Sequence, residues 1–309
     1  MKYIKQEIEE LTYTSISPRF NDWSATETYS IESDEDNLTS SSVVLVGNYY
    51  YRSISSSNTN NPPLETLGIH WIKWDVSNRY AMVDLRSKTY SEVDNEDIVV
   101  EFLKGRIDVL GVGNTIASSM KIEYLDINGD ILTEYTQEYF YSGNEGVNNF
   151  YDLTEVEYST SIDRTTTVQI WNIGYKLRVT FGKSTVLNKT SVGYLVCGRG
   201  YSMGSTMDGV SVNYESFKPS TVDDFGTRIA GNGITRKEIP FQTIIEKEKT
   251  YQKITEAQKA YNEIVLFVID DGEDSFFENI MVLGEITQAK PTYKNSSHNY
   301  IDWVIKENI

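Results

Sequence analysis

The segment from Trp23 to Asp84 reads Trp23-Ser-Ala-Thr-Glu-Thr-Tyr29, Val43-Val-Leu-Val-Gly47-Asn-Tyr-Tyr-Tyr51, Asn61-Pro-Pro63, Trp71-Ile-Lys-Trp74 and Asn78-Arg-Tyr-Ala-Met-Val-Asp84. It contains three of the chain's five Trp residues and many Tyr residues. Aromatic side chains at this density are typical of a compact β module whose core, or whose exposed face, consists of rings. The segment therefore predicts a small aromatic β module near the N-terminus.

Length and charge limit the possible functions. The chain has 309 residues, enough for two or three domains, and its 28 Lys and Arg against 45 Asp and Glu give a formal net charge of −17. This charge argues against sequence-specific nucleic-acid binding, which needs cations to replace counterions on phosphates. It remains compatible with lining a passage through which DNA slides. With no secretory signal and no apolar run near the ~20 residues of a membrane span, we expect a soluble protein made in a cytoplasm, without membrane insertion.

The residues that bind metals and cofactors are scarce. Cys197 is the single cysteine, which excludes internal disulfides, and only His70 and His298 accompany it. A zinc site built from Cys and His is therefore not expected. Neither common spacing of a glycine-rich phosphate loop is present. We expect no resident metal and no cofactor.

Composition and periodicity favour β structure, because the 22 Tyr are accompanied by many Thr, Val and Ile. Strand-like segments recur at short intervals between Gly, Asn and Asp turns, namely Ile98–Phe102, Arg106–Leu110, Lys121–Leu125, Thr167–Trp171 and Lys176–Phe181. This pattern is typical of a β-sandwich or jelly roll.

The C-terminal third has a different pattern. A helical stripe between Thr250 and Asn262 consists of Tyr251, Ile254, Ala257 (or Gln258) and Tyr261. Strand-like segments flank it, Ile239–Glu246 before and Glu263–Ile269 after. These patterns predict an α+β unit with one helix. We therefore divide the chain into 1–76 (an N-terminal segment and the aromatic module), 77–205 (sandwich) and 206–309 (a glycine-rich arm and the α+β unit).

One sequence motif suggests a hydrolase. Gly200-Tyr-Ser202-Met-Gly204 has the G-x-S-x-G pattern of a nucleophile elbow, and Asp270 or Asp271 and then His298 follow in a suitable order. The mechanism requires a helix directly after the serine, whereas Ser205-Thr-Met-Asp-Gly209 is turn-like. We therefore favour a glycine-flanked loop over a serine esterase, and we do not expect an enzyme.

Two acidic segments resemble the start of a calcium loop. In Asp126-Ile-Asn128-Gly-Asp130 the position that requires Gly is Ile131, and the Glu needed at position twelve is missing. Asn128-Gly129 between two strand-like segments instead predicts a hairpin turn. The second segment, Asp270-Asp-Gly-Glu-Asp274, receives the same interpretation.

The aromatic side chains allow two interpretations. A platform on which sugar rings stack would use Trp23, Tyr29, Tyr51, Trp71 and Trp74. The same rings would equally form the core of a module of ~60 residues that is too small to be filled by aliphatic side chains alone. Exposed Trp and Tyr also serve as anchors in protein interfaces. We favour core or subunit contact over a sugar site.

The order of these residues resembles known families. Trp23-Ser-Ala…Tyr29, Val46-Gly47-Asn-Tyr-Tyr-Tyr51, Asn61-Pro62-Pro63 and Trp71 are similar to the small chitin-binding-type carbohydrate modules, with a longer acidic insertion at Ile31 to Ser42. The region from Ile98 to Asn128-Gly129 resembles a galactose-binding-like jelly roll. Asn78-Arg-Tyr-Ala-Met-Val-Asp84, Val192–Arg199, Gly209–Tyr214, Asp223–Gly226 and Tyr300–Ile305 resemble virion structural proteins of tailed bacteriophages.

The resemblance implies a structural protein of the phage particle, in its neck, collar or tail. It would be made in the bacterial host cytoplasm and would form a ring or adaptor with copies of itself and other virion proteins. A glycine-rich arm from Gly198 to Gly233 would order on a neighbouring subunit, with Phe217, Phe225 and Ile229 as anchors. The negative charge would slow premature association. The alternative is a phage-displayed protein that binds host-surface glycans, and the weakest is an esterase using Ser202.

Overall fold

The computed structural model describes residues 1–8, 11–32, 38–138, 164–171, 173–184, 188–207, 209–217, 220–222, 228–230, 234–270, 280–293 and 298–309. The strands of these residues are, in chain order, β1 (Lys2–Gln6), β2 (Leu11–Thr14), β3 (Thr28–Tyr29), β4 (Val43–Val46), β5 (Tyr49–Ser53), β6 (Asn58–Thr59), β7 (Trp71–Val76), β8 (Ser91–Asp94), β9 (Ile98–Leu103), β10 (Val109–Ile116), β11 (Ser119–Leu125), β12 (Ile131–Glu138), β13 (Arg164–Gln169), β14 (Lys176–Phe181), β15 (Lys189–Ser202), β16 (Ser205–Thr206), β17 (Asn213–Phe217), β18 (Ser220–Val222), β19 (Arg228–Ala230), β20 (Ile234–Glu246), β21 (Val265–Asp270), β22 (Ile280–Tyr293) and β23 (His298–Glu307). The α-helix α1 spans Thr250–Ala260, and short 3-10 turns occur at Ala81–Val83 and Lys247–Lys249. The prediction of a mainly β chain with a helix near the C-terminus is confirmed.

A long antiparallel sheet runs through most of the molecule. Its strand order is β13-β10-β15-β1-β21-β22-β23-β20-β16, with β8 added to β15 and β17 added to β20. The N-terminal strand β1 lies at its centre, because Ile4 pairs with Gly200 on one side and with Leu266 on the other. Gly198 permits this close approach, since a Cβ there would lie 1.7 Å from the carbonyl oxygen of Lys5.

The sandwich consists of a second sheet facing one end of the long sheet. The strand order of the second sheet is β12-β11-β14-β9-β2. Buried side chains of both sheets form one core, among them Phe102, Ile122, Val179, Leu110 and Leu195. The alternating burial of β14 shows why these residues form strands, because every second side chain faces that core.

The predicted hairpin is present between β11 and β12. Gly129 has a φ of +94°, which glycine adopts without strain. The Asp126 carboxylate accepts hydrogen bonds from the backbone nitrogens of Asn128 (2.8 Å) and Asp130 (2.9 Å). Asp126 thus stabilises the turn through its own backbone, and hydrogen bonds from Asp130 and Asn128 lower the pKa of its carboxyl group.

The C-terminal unit continues the long sheet. Helix α1 connects β20 to β21 and packs on β22, with Ala257 and Ala260 buried against the sheet. The predicted stripe was wrong at Tyr251, which is 83% exposed, because the buried face of the helix passes through Thr250, Ala257 and Ala260. The division at 205/206 therefore falls within one continuous sheet.

The aromatic module consists of two small sheets between β2 and β8. Strands β4, β5 and β7 form one sheet, and β3 pairs with β6 in the other. The N-terminal segment that precedes the module is part of the two large sheets, because β1 belongs to the long sheet and β2 pairs with β9 of the sandwich. Such pairings join residues far apart in sequence and leave no local signal.

The arm is a two-stranded ribbon. β17 pairs with the first half of β20, and β18 pairs with β19 further along the same excursion of the chain. The predicted arm from Gly198 to Gly233 thus begins later than expected, since residues 198–202 belong to β15 in the long sheet.

Candidate functional site

Three of the five predicted sugar-stacking rings form a core. Tyr29, Tyr51 and Trp71 are buried together with Val44, and the rings of Tyr29 and Trp71 meet edge to face with centroids 5.1 Å apart. The Trp71 indole donates a 2.7 Å hydrogen bond to the Asn61 carbonyl, which satisfies its only polar atom. These three rings are closed to a ligand in this conformation, so the five-ring platform does not form.

Trp23 and Trp74 are partly buried at the edges of the module. Trp74 packs against Phe20 and Tyr50, with ring centroids 6.0 and 6.4 Å away, and Trp23 packs beside the Trp71 core. The module thus uses most of its rings to fill an interior that two small sheets would otherwise leave open.

Trp74 also lines a groove between the aromatic module and the sandwich. The groove has a volume of about 470 Å³, and its lining includes Arg19, Trp74, Lys88, Tyr90, Glu92 and Asp94. Asn78 fixes one wall, because its side chain donates to the Glu92 carbonyl (3.0 Å) and accepts from the Glu92 nitrogen (2.9 Å). A half-buried indole beside charged side chains is the combination that binds sugars or polar peptides.

Most of this groove was missed by the sequence prediction. Tyr90 and Asp94 lie outside the aromatic segment in the chain, and they reach Trp74 only because the sandwich packs beside the module. The acidic and aromatic residues around β8 were the only sequence feature that could have indicated the groove. Their pattern, however, indicates only a half-exposed strand.

The arm exposes apolar side chains. Tyr214, Phe217 and Ile234 are each more than half exposed. Phe217 and Ile234 are paired across the two strands, so their side chains lie side by side on one face. Of the three predicted anchors, Phe217 is thus an exposed residue of the arm, whereas Phe225 and the Ile229 side chain lie outside the described residues. Tyr214 lies within the predicted arm but was not among its predicted anchors, and Ile234 directly follows the predicted end of the arm at Gly233.

Ion pairs hold the base of the arm against the long sheet. Lys306 contacts Glu215 (3.2 Å) and Glu238 (2.8 Å), and Arg236 contacts Glu285 (3.2 Å). The charged side chains and the apolar pair of Phe217 and Ile234 therefore have different roles, because the ion pairs bind the arm to the subunit itself while Phe217 and Ile234 are exposed.

The nucleophile elbow is not formed. Ser202 ends β15, and the chain continues through a turn into β16, where a hydrolase would have a helix. Ser202 and His298 do line one cavity of about 650 Å³, on its wall with Lys2 and Lys249. The proposed third member is not described, because Asp271 and the Asp270 side chain lie outside the described part of the chain. The Cys197 thiol is buried in the sandwich core, and burial raises its pKa.

No cluster of three or more His, Cys, Asp or Glu side chains that could hold a metal ion occurs within the described ranges. Residues 271–274 of the second acidic segment lie outside the described ranges. In the same part of the chain, none of the helices has the length and hydropathy of a membrane span.

Comparison of the chain with protein-family models, with curated proteins and with solved structures found no match. The functional argument therefore depends on the geometry of this molecule and on the sequence resemblance described above.

Proposed function

We propose that the chain is a structural component of a tailed-phage particle, namely a ring, collar or adaptor of the neck or tail without enzymatic activity. It assembles with copies of itself and with neighbouring virion proteins. The observation that supports assembly most strongly is the arm, which extends from the long sheet and exposes Tyr214, Phe217 and Ile234. The phage context depends on the sequence resemblance alone.

The arm has the features of an element that contacts a neighbouring subunit. A two-stranded ribbon has no second layer that could bury its side chains, so a partner surface is needed to cover Phe217 and Ile234. Where the arm of one subunit covers a different surface of the next subunit, the contact is heterologous, and heterologous contacts form a ring when the rotation between subunits closes. Aromatic anchors are frequent where interfaces derive their affinity.

Replacing the exposed pair of Phe217 and Ile234 tests this proposal. We expect the double variant Phe217→Ser/Ile234→Ser to remain folded but to lose self-association and binding to neck or tail fractions of the phage, measured by light scattering. Tyr251→Ser is the matched control, because Tyr251 is an exposed aromatic residue on α1, away from the arm. Unchanged assembly of the double variant would contradict a role for the arm.

The second candidate is binding of host-surface glycans, and the groove beside Trp74 favours it. Trp74 and Tyr90 both line the groove, with Arg19 and Asp94 in reach of sugar hydroxyls. On a glycan array, Tyr90→Ala should remove binding while Tyr293→Ala, at an exposed residue of β22, retains it. Absence of glycan binding by the wild-type chain would exclude this candidate and leave the assembly proposal untouched.

A further inference from the structure

The cavity that Ser202 and His298 line lies where β1, β15, β20 and β21 meet the start of α1. It has a volume of about 650 Å³, and its lining includes Lys2, Ser202, Ser205, Lys249, Lys253 and His298. These residues are spread through the sequence from Lys2 to His298, so only the completed long sheet brings them together. The assembly proposal and the glycan proposal use none of them.

The wall of this cavity is held in place by backbone hydrogen bonds. The Met1 nitrogen donates to the Gly204 carbonyl (2.7 Å), and the Met203 nitrogen donates to the Met1 carbonyl (2.9 Å). A Cβ on Gly204 would lie 2.7 Å from the Ile244 carbonyl oxygen, so glycine keeps this turn tight against β20. Ser202 and Ser205 flank the turn and are exposed.

The described lining of the cavity is richer in basic side chains than the chain as a whole. Among the described residues, three lysines and one histidine line it beside one carboxylate, Glu246, whereas acids outnumber bases in the whole sequence by 45 to 28. Glu246 pairs with Lys249 (2.8 Å), and Lys253 pairs with Glu256 (2.9 Å). A hydrogen bond from Lys249, together with its charge, lowers the pKa of the Glu246 carboxyl group, so this side chain is ionised at neutral pH.

We propose that this cavity binds an oxyanion of the phosphate or sulfate type, with Lys2 and Lys249 as charged contacts and Ser202 and Ser205 as hydroxyl donors. Ammonium and hydroxyl groups are suitable donors for tetrahedral oxyanions, and hydrogen bonds to a charged partner are about twice as strong as neutral ones. The volume also accommodates an organic group attached to a phosphate. Ser202, which suggested a hydrolase, is then a binding residue, which agrees with the missing elbow.

Titration calorimetry with sodium phosphate tests the site, with sodium chloride at equal ionic strength as the reference. We expect saturable phosphate binding to the wild-type chain. Lys2→Gln/Lys249→Gln should weaken it about tenfold or more, because charged hydrogen bonds are lost. Glu246→Gln should strengthen it, because it removes the negative charge beside Lys249. Lys189→Gln is the matched control, since Lys189 pairs with Glu92 elsewhere on the surface.

The opposite responses of two neighbouring substitutions separate binding from misfolding. Damage to the fold would weaken binding in both variants, whereas the site requires loss in one and gain in the other. Tighter binding of glycerol phosphate than of phosphate would support the site and identify a phosphorylated molecule as occupant, and the reverse order would support a free ion. The proposal would be overturned if the heat of phosphate binding did not exceed the heat measured with sodium chloride. It would also be overturned if Lys2→Gln/Lys249→Gln bound phosphate with wild-type affinity.

Discussion

Aromatic side chains lie in opposite environments in the aromatic module and in the arm. In the module, Tyr29 and Trp71 are almost completely buried, whereas Tyr214 and Phe217 on the arm are mostly exposed. Both regions are built from short antiparallel strands of similar composition. The module folds two small sheets around its rings, whereas on the ribbon more than half of the surface of Tyr214 and of Phe217 stays exposed. A high density of aromatic residues in the sequence therefore indicates a contact surface only where no second layer of structure covers the rings.

The largest expected effect is at the centre of the module. Trp71→Ala should reduce the free energy of unfolding by about 3–5 kcal/mol, because it removes a buried ring and leaves the Asn61 carbonyl without its indole donor. Denaturant unfolding followed by circular dichroism measures this. Trp171→Ala is the control: its ring is more than half exposed and stacks on Tyr124, so we expect a loss of about 1 kcal/mol. Similar losses at both positions would remove the contrast between interior and surface.

A smaller effect is expected from the phenol of Tyr29. Its oxygen accepts a 2.8 Å hydrogen bond from the Ser24 nitrogen, so Tyr29→Phe should cost about 1–2 kcal/mol at neutral pH. Burial raises the pKa of Tyr29 above its usual 10.0. The stabilisation that the neutral phenol contributes is therefore fully present below pH 10. It is lost as the pH rises through the raised pKa of Tyr29 in the folded state.

The pH dependence of this variant gives the sharper measurement. The difference in unfolding free energy between wild type and Tyr29→Phe should shrink above pH 10, because the Tyr29 phenol ionises in the unfolded state before it ionises in the folded state, which lowers the stability of the wild type alone. A difference that stays constant up to pH 11 would show that the ring is not as enclosed as its packing indicates.

The next effect concerns a ring on the outside of the module. The Lys73 ammonium lies 3.2 Å from the centroid of the Tyr49 ring. Because this pair is accessible to solvent, Lys73→Met should cost about 0.5–1 kcal/mol, whereas Lys73→Arg retains a cation above the ring. The measurement is the denaturation midpoint of the three proteins. Equal midpoints would show that the pair contributes nothing measurable.

The smallest effect on stability is expected at the arm. Phe217→Ser should change the free energy of unfolding by less than about 0.5 kcal/mol, because an exposed ring loses little packing when truncated. Thermal unfolding of the isolated subunit at low concentration is the measurement. A loss comparable to that of Trp71→Ala would mean that the ring is covered within the subunit and would contradict the arm as a free contact element.

The local features of this fold were predictable from sequence. The turn at Asn128-Gly129, the strands of the sandwich and the position of α1 follow from residue types that act over a few positions. The buried side of α1 was less accessible, because the sheet selects the small Ala257 and Ala260 while Tyr251 faces outward.

Features that depend on distant partners were not predictable. Nothing in Lys2–Gln6 indicates that it separates β15 from β21, and the groove beside Trp74 depends on Tyr90 reaching it from the sandwich. The sequence of the aromatic segment was compatible with rings that fill an interior and with rings that form a binding face. Only the packing of Tyr29 on Trp71 in the structure distinguishes these two interpretations.

The central position of β1 affects how the chain folds while it is being synthesised. Ile4 pairs with Leu266, so one partner of this strand is translated long after the strand itself. At about 5–20 residues per second, the delay is roughly 10–50 s. During that time β1 can pair with β15 only once residues 198–202 have appeared, and its other edge stays open until the last third is made. An open strand edge recruits other chains. Until β21 is made, the open edge of β1 can therefore pair with other nascent copies that are translated from the same messenger RNA.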